Sequence, residues 1–193
     1  MKKIAFAFFF IFAAVCLQAQ TLTWDIKFLK GLSQESEPIS QIIRMNTGEF
    51  FLISITAASD CFSYVIAYDS ERQIHVLHDR PLRRGQEVFL GPITIHDPPG
   101  TETIYVIMSL ERQAALERLI QNHKNNPGSR QHINSLLREI GRLQNTAAGL
   151  GEPPSVYIPG GGTTRSVSGE LIVEYMTRFT ERNNYVRPIT IRH

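Results

Sequence analysis

Cysteine is nearly missing from this chain: there are two in 193 residues, with one tryptophan and a formal net charge of only +2. Two cysteines cannot build the dense disulfide framework of small secreted modules. A charge so close to zero argues against a basic nucleic-acid binder, and at 42% hydrophobic the chain is too apolar to be disordered. The longest uninterrupted apolar run, Ile4 to Val15, falls short of the ~20 residues that span a bilayer. What is left is one globular domain, or one and a half.

What is present begins with an export address. Met1-Lys2-Lys3 is a short positive region, the apolar run follows, and Ala19 supplies a small residue for cleavage, so residues 1–19 read as a secretory signal peptide. The mature chain is then expected to start near Gln20, in the periplasm or outside the cell. The alternative is a lipid anchor at Cys16, giving an outer-envelope lipoprotein. That signal needs a small residue directly before the cysteine, and Val15 stands there. The leader carries two lysines and no acid, so its removal leaves Lys+Arg equal to Asp+Glu at 18 each. Cys61 becomes the single thiol. In an oxidising compartment it is either buried as a small hydrophobe or paired between chains, and the strand-like run it opens favours burial.

From Thr21 the pattern has period two. Leu22, Trp24, Ile26 and Phe28 fall on one face with Thr23, Asp25 and Lys27 on the other, as in a half-buried strand. Ile39 to Met45, the turn Asn46-Thr47-Gly48 and Glu49 to Ile55 read as a hairpin. Cys61 to Tyr68, the polar turn Asp69 to Arg72 and Gln73 to His78 read as a second one, closed by Pro81. Gln86 to Leu90 and Pro92 to His96 are shorter candidates, and Thr101 to Met108 is a clear strand after Asp97-Pro98-Pro99-Gly100. Strand signals at this spacing predict a mainly β, antiparallel sandwich or barrel-like fold.

The period then changes. Ser109 is placed to cap a helix from Leu110 to Lys124, with Leu116, Leu119 and Ile120 on one stripe. After Asn126-Pro127-Gly128 a second stripe runs through Ile133, Leu136, Leu137, Ile140, Leu143 and Ala147. This predicts an inserted α-helical hairpin over about 109–148. Its stripes bury against each other and a sheet face, or against another chain; each is short for a free coiled coil. Residues 149–168 read as a flexible loop whose triple glycine lacks the Gly-Lys-Ser/Thr of a phosphate loop. Glu170 to Phe179 reads as a strand or short helix, and Val186 to Ile191 as a closing strand paired into the sheet, so that 20–193 form a single β-rich domain.

Four segments carry a resemblance: Gly48-Glu49-Phe50-Phe51-Leu52-Ile53, Cys61 to Asp69, Ile74 to His78, and Gly100-Thr101-Glu102 through Ser109. In this order they resemble the bacterial domain of unknown function 4384, over residues of about 40–110. The Phe-Pro-Asn step of that family is here Leu77-His78-Asp79-Arg80-Pro81, and the helical hairpin reads as an insertion. The resemblance implies an all-β domain in exported or multidomain bacterial proteins, with no established activity.

Residues suited to chemistry are few. Cys61 with His75, His78, Asp79, His96 and Asp97 supplies the types a thiol hydrolase or a zinc site needs. Cys61 opens a strand, however, with no helix N-terminus to lower its pKa. His75 and His78, three apart on a strand, are expected on opposite faces. Arginines outnumber lysines fifteen to five, and Arg80, Arg83 and Arg84 cluster around Pro81. That loop is the candidate binding site, for an anionic glycan, lipid headgroup or acidic partner. The sequence implies no cofactor, nucleic-acid partner or membrane span after cleavage. It points to an exported, non-catalytic binding or assembly domain contacting another envelope or secreted protein. The alternative is a cysteine- or metal-dependent hydrolase using Cys61 with His75 or His78.

Overall fold

The computed structural model describes residues 21–31, 35–37, 39, 42–147, 155–157, 163–165, 171–173, 175–181 and 183–193. The expected leader and Cys16 lie outside the described residues. The alternating segment from Leu22 is the centre of the first sheet: β1 (Leu22–Lys30) pairs antiparallel with β4 (Phe50–Ala57) and with β12 (Met176–Glu181). Outside them lie β7 (Glu87–Thr94), next to β4, and β9 (Ser155–Tyr157), next to β12; β2 (Glu35–Glu37) pairs with the end of β1.

The second sheet has the order β3 (Ile42–Arg44), β13 (Asn184–Arg192), β8 (Thr101–Ser109), β5 (Cys61–Tyr68), β6 (Ile74–Leu82). The expected closing strand is thus central, paired with β8 over nine residues. A further pair, β10 (Thr163–Arg165) and β11 (Leu171–Val173), stands apart. The fold is mainly β, sandwich-like, with two helices, as the strand spacing predicts.

The inner faces of both sheets make one apolar core. Trp24, Ile26 and Phe28 of β1 meet Val65 of β5, Val106 of β8 and Ile189 of β13, all at most 1% exposed. Trp24 stacks on Phe179 at 4.5 Å between centroids, and Phe28 on Phe51 at 4.9 Å. Offset stacking adds to the area these large rings bury.

The outer face of the second sheet is apolar as well. Tyr64 and Ile66 of β5, Ile107 of β8 and Val186 of β13 are covered by α1 (Ala114–Asn125) and α2 (Arg130–Ala147) through Leu116, Ile120, Ile133, Leu136, Ile140 and Leu143. This explains why β5 shows no clean alternation in sequence: a strand buried on both faces reads as a continuous apolar run. The hairpin therefore packs on the sheet, and its polar faces carry pairs such as Arg142–Glu139. Among the described residues no helix is long and apolar enough to cross a membrane.

Several local expectations are corrected. Ser109 ends β8 instead of capping a helix; its Oγ bonds both the N–H and the C=O of Glu111, and α1 starts only at Ala114. β3 does not form a hairpin with β4. It pairs in parallel with β13, and the Asn46–Gly48 turn crosses from one sheet to the other. The two short candidates around Gly91-Pro92 are one strand, β7. The chain passes a register shift opposite Phe51–Ile53, with Gly91 at φ +117° and its missing Cβ only 2.9 Å from the carbonyl oxygen of Phe51. Glycine alone meets both demands. Pro81 lies within β6 rather than closing it, which an edge strand tolerates because its outward positions donate to no neighbour. Within 149–168, β9 and β10 are strands; the remainder of that segment lies outside the described residues, apart from Ser155–Tyr157 and Thr163–Arg165.

Candidate functional site

Asp69 follows β5 and opens the turn into β6, and the turn's backbone fixes its side chain. Its Oδ1 accepts from the Gln73 N–H at 2.7 Å, while Arg72 takes the left-handed conformation at φ +64°. The hairpin then brings His75 back alongside, with Nε2 2.7 Å from Asp69 Oδ2. At the other end β6 enters the turn Arg83–Gln86 and leaves it as β7, in the opposite sheet. The two strands therefore diverge from that turn, and where they are farthest from it the sheet edges part.

The opening is a cleft of about 490 Å³. Its apolar lining includes Ala67, Leu77, Pro92 and Ile93, and its polar lining Asp69, Glu71, Asp97 and Glu102 with His75 and His96. Asp97 Oδ1 accepts from Thr47 Oγ1 at 3.4 Å, and Ser70 Oγ donates to the Pro98 carbonyl at 3.1 Å. Glu102 is the deepest acid, with a side chain 13% exposed, and makes no hydrogen bond among the described residues. Burial, against the pull of His193, pushes its carboxyl above the usual range, with the charge of Asp69 adding to the push. Behind it the imidazole of His193, 0% exposed, places Nε2 3.8 Å from Glu102 Oε1. Neither ring nitrogen of His193 has a hydrogen-bond partner.

The residues proposed from sequence divide between two ends of the molecule. His75, His96 and Asp97 meet in the cleft. Cys61 does not. It pairs with Leu82, whereas His75 pairs with Ala67, so six residues of β5, ~20 Å at the strand rise, separate thiol and imidazole. His78 pairs with Val65, ~13 Å along the strand from Cys61 by the same measure. The alternative dyads of Cys61 with His75 or His78 are therefore not assembled.

Cys61 is buried, and burial together with the neighbouring Asp60 charge pushes its thiol up to about 11. The thiolate is the nucleophile, so native protein at neutral pH is expected to resist iodoacetamide. Alkylation of Cys61, followed by intact mass, should run about 100-fold slower than in concentrated guanidinium, where the thiol is exposed and its acidity ordinary. Equal rates would show an accessible thiol.

His75 and His78 occupy the same face, contrary to the three-apart expectation. A bulge between Val65 and Ile66 inserts Leu77 and restores the parity of β6, so that both histidines lie opposite inward residues of β5. Even so, among the described residues no three His, Cys, Asp or Glu side chains converge as metal ligands. His78 Nε2 bonds the Arg80 carbonyl at 3.1 Å, and burial lowers its pKa. Asp79 faces the helices and holds Lys124 at 2.7 Å.

Arg80, Arg83 and Arg84 are exposed at the opposite end of β6 from the cleft. The backbone of their turn is fixed by Gln86 Oε1 on Arg83 N–H and by Asp60 Oδ1 on Arg84 N–H, at 3.0 and 2.7 Å. Among the described residues no acid pairs with their guanidinium groups. The β6 edge thus runs from an acidic cleft to a basic turn.

Sequence reading missed Asp69, Glu102 and His193. Asp69 and His75 flank one turn, a spacing that places them side by side in a hairpin. Glu102 and His193 carry no such signal, since only the pairing of β13 with β8 brings the chain beyond Arg192 back to Gly100, where each N–H bonds the other's carbonyl. No protein-family model, curated protein or solved structure matches the chain.

Proposed function

We propose that this is an exported, non-catalytic binding domain that engages another envelope or secreted protein through the cleft between β6 and β7. The observation that carries the reading is the make-up of the cleft: apolar side chains together with convergent polar groups, the ordinary composition of a recognition site. The distance between Cys61 and the histidines speaks against the hydrolase alternative. The basic leader and its apolar run support export, with the lipid anchor at Cys16 as the variant form. The strand motifs shared with the domain of unknown function 4384 support a divergent member of that family. Arg80, Arg83 and Arg84 form a second, basic contact for the same partner.

Site-specific photo-crosslinking tests this in the producing cell. A photoreactive residue at Thr94, exposed on the cleft wall, should give a discrete protein adduct, and the same residue at Arg138 on α2 should not. Absence of an adduct at Thr94, or a hydrolytic turnover abolished by His75→Ala in folded protein, would overturn the reading.

A further inference from the structure

We infer that the cleft receives a cationic side chain, an arginine or lysine projecting from the partner, with its head between Asp97 and Glu102 and its stem on Ala67, Leu77, Pro92 and Ile93. The inference deepens the binding reading above and rests on it. Long basic side chains combine an apolar stem with a charged donor head, and the lining of the cleft offers the complement of both, hydrocarbon and carboxylates. His75 already holds Asp69 Oδ2 at 2.7 Å and the Gln73 N–H holds its Oδ1, so the head is met by Asp97 and Glu102. A metal ion fits poorly, because among the described residues no three ligating side chains converge.

His193 points to a ligand independently of the acidic lining. Ile189 and Ile191 face the core, so strand alternation turns His193 inward as well, toward the inner face that Glu102 shares with Ile104. A fully buried imidazole with no hydrogen bond, set behind a carboxyl that has none either, is an incomplete polar network. A cation in front of Glu102 completes it. There the carboxyl accepts charge-assisted hydrogen bonds from the ligand and is the acceptor nearest the ring of His193, whose Nε2 lies 3.8 Å from Oε1.

The test uses the full mature chain and two capped tripeptides, acetyl-Gly-Arg-Gly-amide and its citrulline counterpart, titrated by NMR. Citrulline keeps the stem and the planar head but has no charge. The arginine peptide should bind at least about tenfold more tightly than the citrulline one, and shift the ring resonances of His193. Glu102→Gln should remove that preference without unfolding the protein. The folded-state pKa of Glu102 is raised, so its contribution to stability is present at low pH and lost as pH rises through that value; glutamine escapes the loss. Equal binding of the two peptides, no binding of either, or an arginine preference that survives in Glu102→Gln overturns the inference. The Thr94 crosslink separates the two levels: an adduct without arginine preference leaves the binding domain standing and removes only its ligand class.

Discussion

Trp24→Ala is expected to cost about 3–5 kcal/mol, the range for removing a large buried aromatic, and thereby a large part of the ~5–15 kcal/mol that holds a domain folded. Trp24 is 0% exposed on the central strand of the first sheet. It stacks on Phe179 at 4.5 Å and meets Tyr185 of the second sheet at 5.6 Å. Deleting the indole therefore opens a hole between the sheets rather than at an edge, where neighbours on both sides are fixed by strand pairing and cannot close it. Trp24→Phe should cost far less, under about 1.5 kcal/mol. It keeps a ring against Phe179, and it removes an indole N–H that is buried without an acceptor, a group that carries a desolvation penalty. Urea unfolding followed by circular dichroism distinguishes the two variants. Equal costs for Ala and Phe would show that a ring stacked on Phe179 contributes nothing, and would overturn the packing argument.

Leu136→Asp should be as damaging, at about 4 kcal/mol or more, because a carboxylate without a partner would be forced into an apolar layer. Leu136 is 0% exposed in the layer between α2 and the second sheet, among Tyr64, Ile66 and Ile107. Were the helical hairpin an independent insertion, the sheets would survive its loss. They are not expected to, since the face it covers is as apolar as the core on the other side. Exposing it would leave a contiguous patch prone to association. Solubility and urea midpoint measure this, with Leu137→Asp, on a half-buried position of the same helix, as the milder comparison. A soluble Leu136→Asp with a wild-type midpoint would make the hairpin dispensable.

These two variants probe layers that differ in how far they could be read from sequence. The strand from Leu22 was legible because its outer face is polar: Asp25 there is held bidentately by Arg178 at 2.9 Å, and period two survives. The helical stripes were legible for the same reason. Strand partners were not. β3 and β4 flank a turn that suits a hairpin, yet β3 finds its place beside β13, and the pairing is decided by which sheet offers a free edge at that point in the chain. In the candidate site, His75, His96 and Asp97 were visible as residue types but not as neighbours. Glu102 and His193 were invisible, because nothing local marks a carboxyl and an imidazole brought together from the starts and ends of strands far apart in sequence.

The sequence alone determined the period of each element, the shortage of thiols and the near balance of acidic and basic residues, since these are read from the residues themselves and their nearest neighbours in the chain. Tertiary structure decided the rest. It set which strands share a sheet, buried the one described thiol away from every histidine considered as its partner, and placed an acidic cleft and a basic turn at opposite ends of β6. Such arrangements depend on long-range pairing. A strand's own residues fix which of them face inward, while the neighbour that receives them is chosen by the free edges and faces of the whole fold.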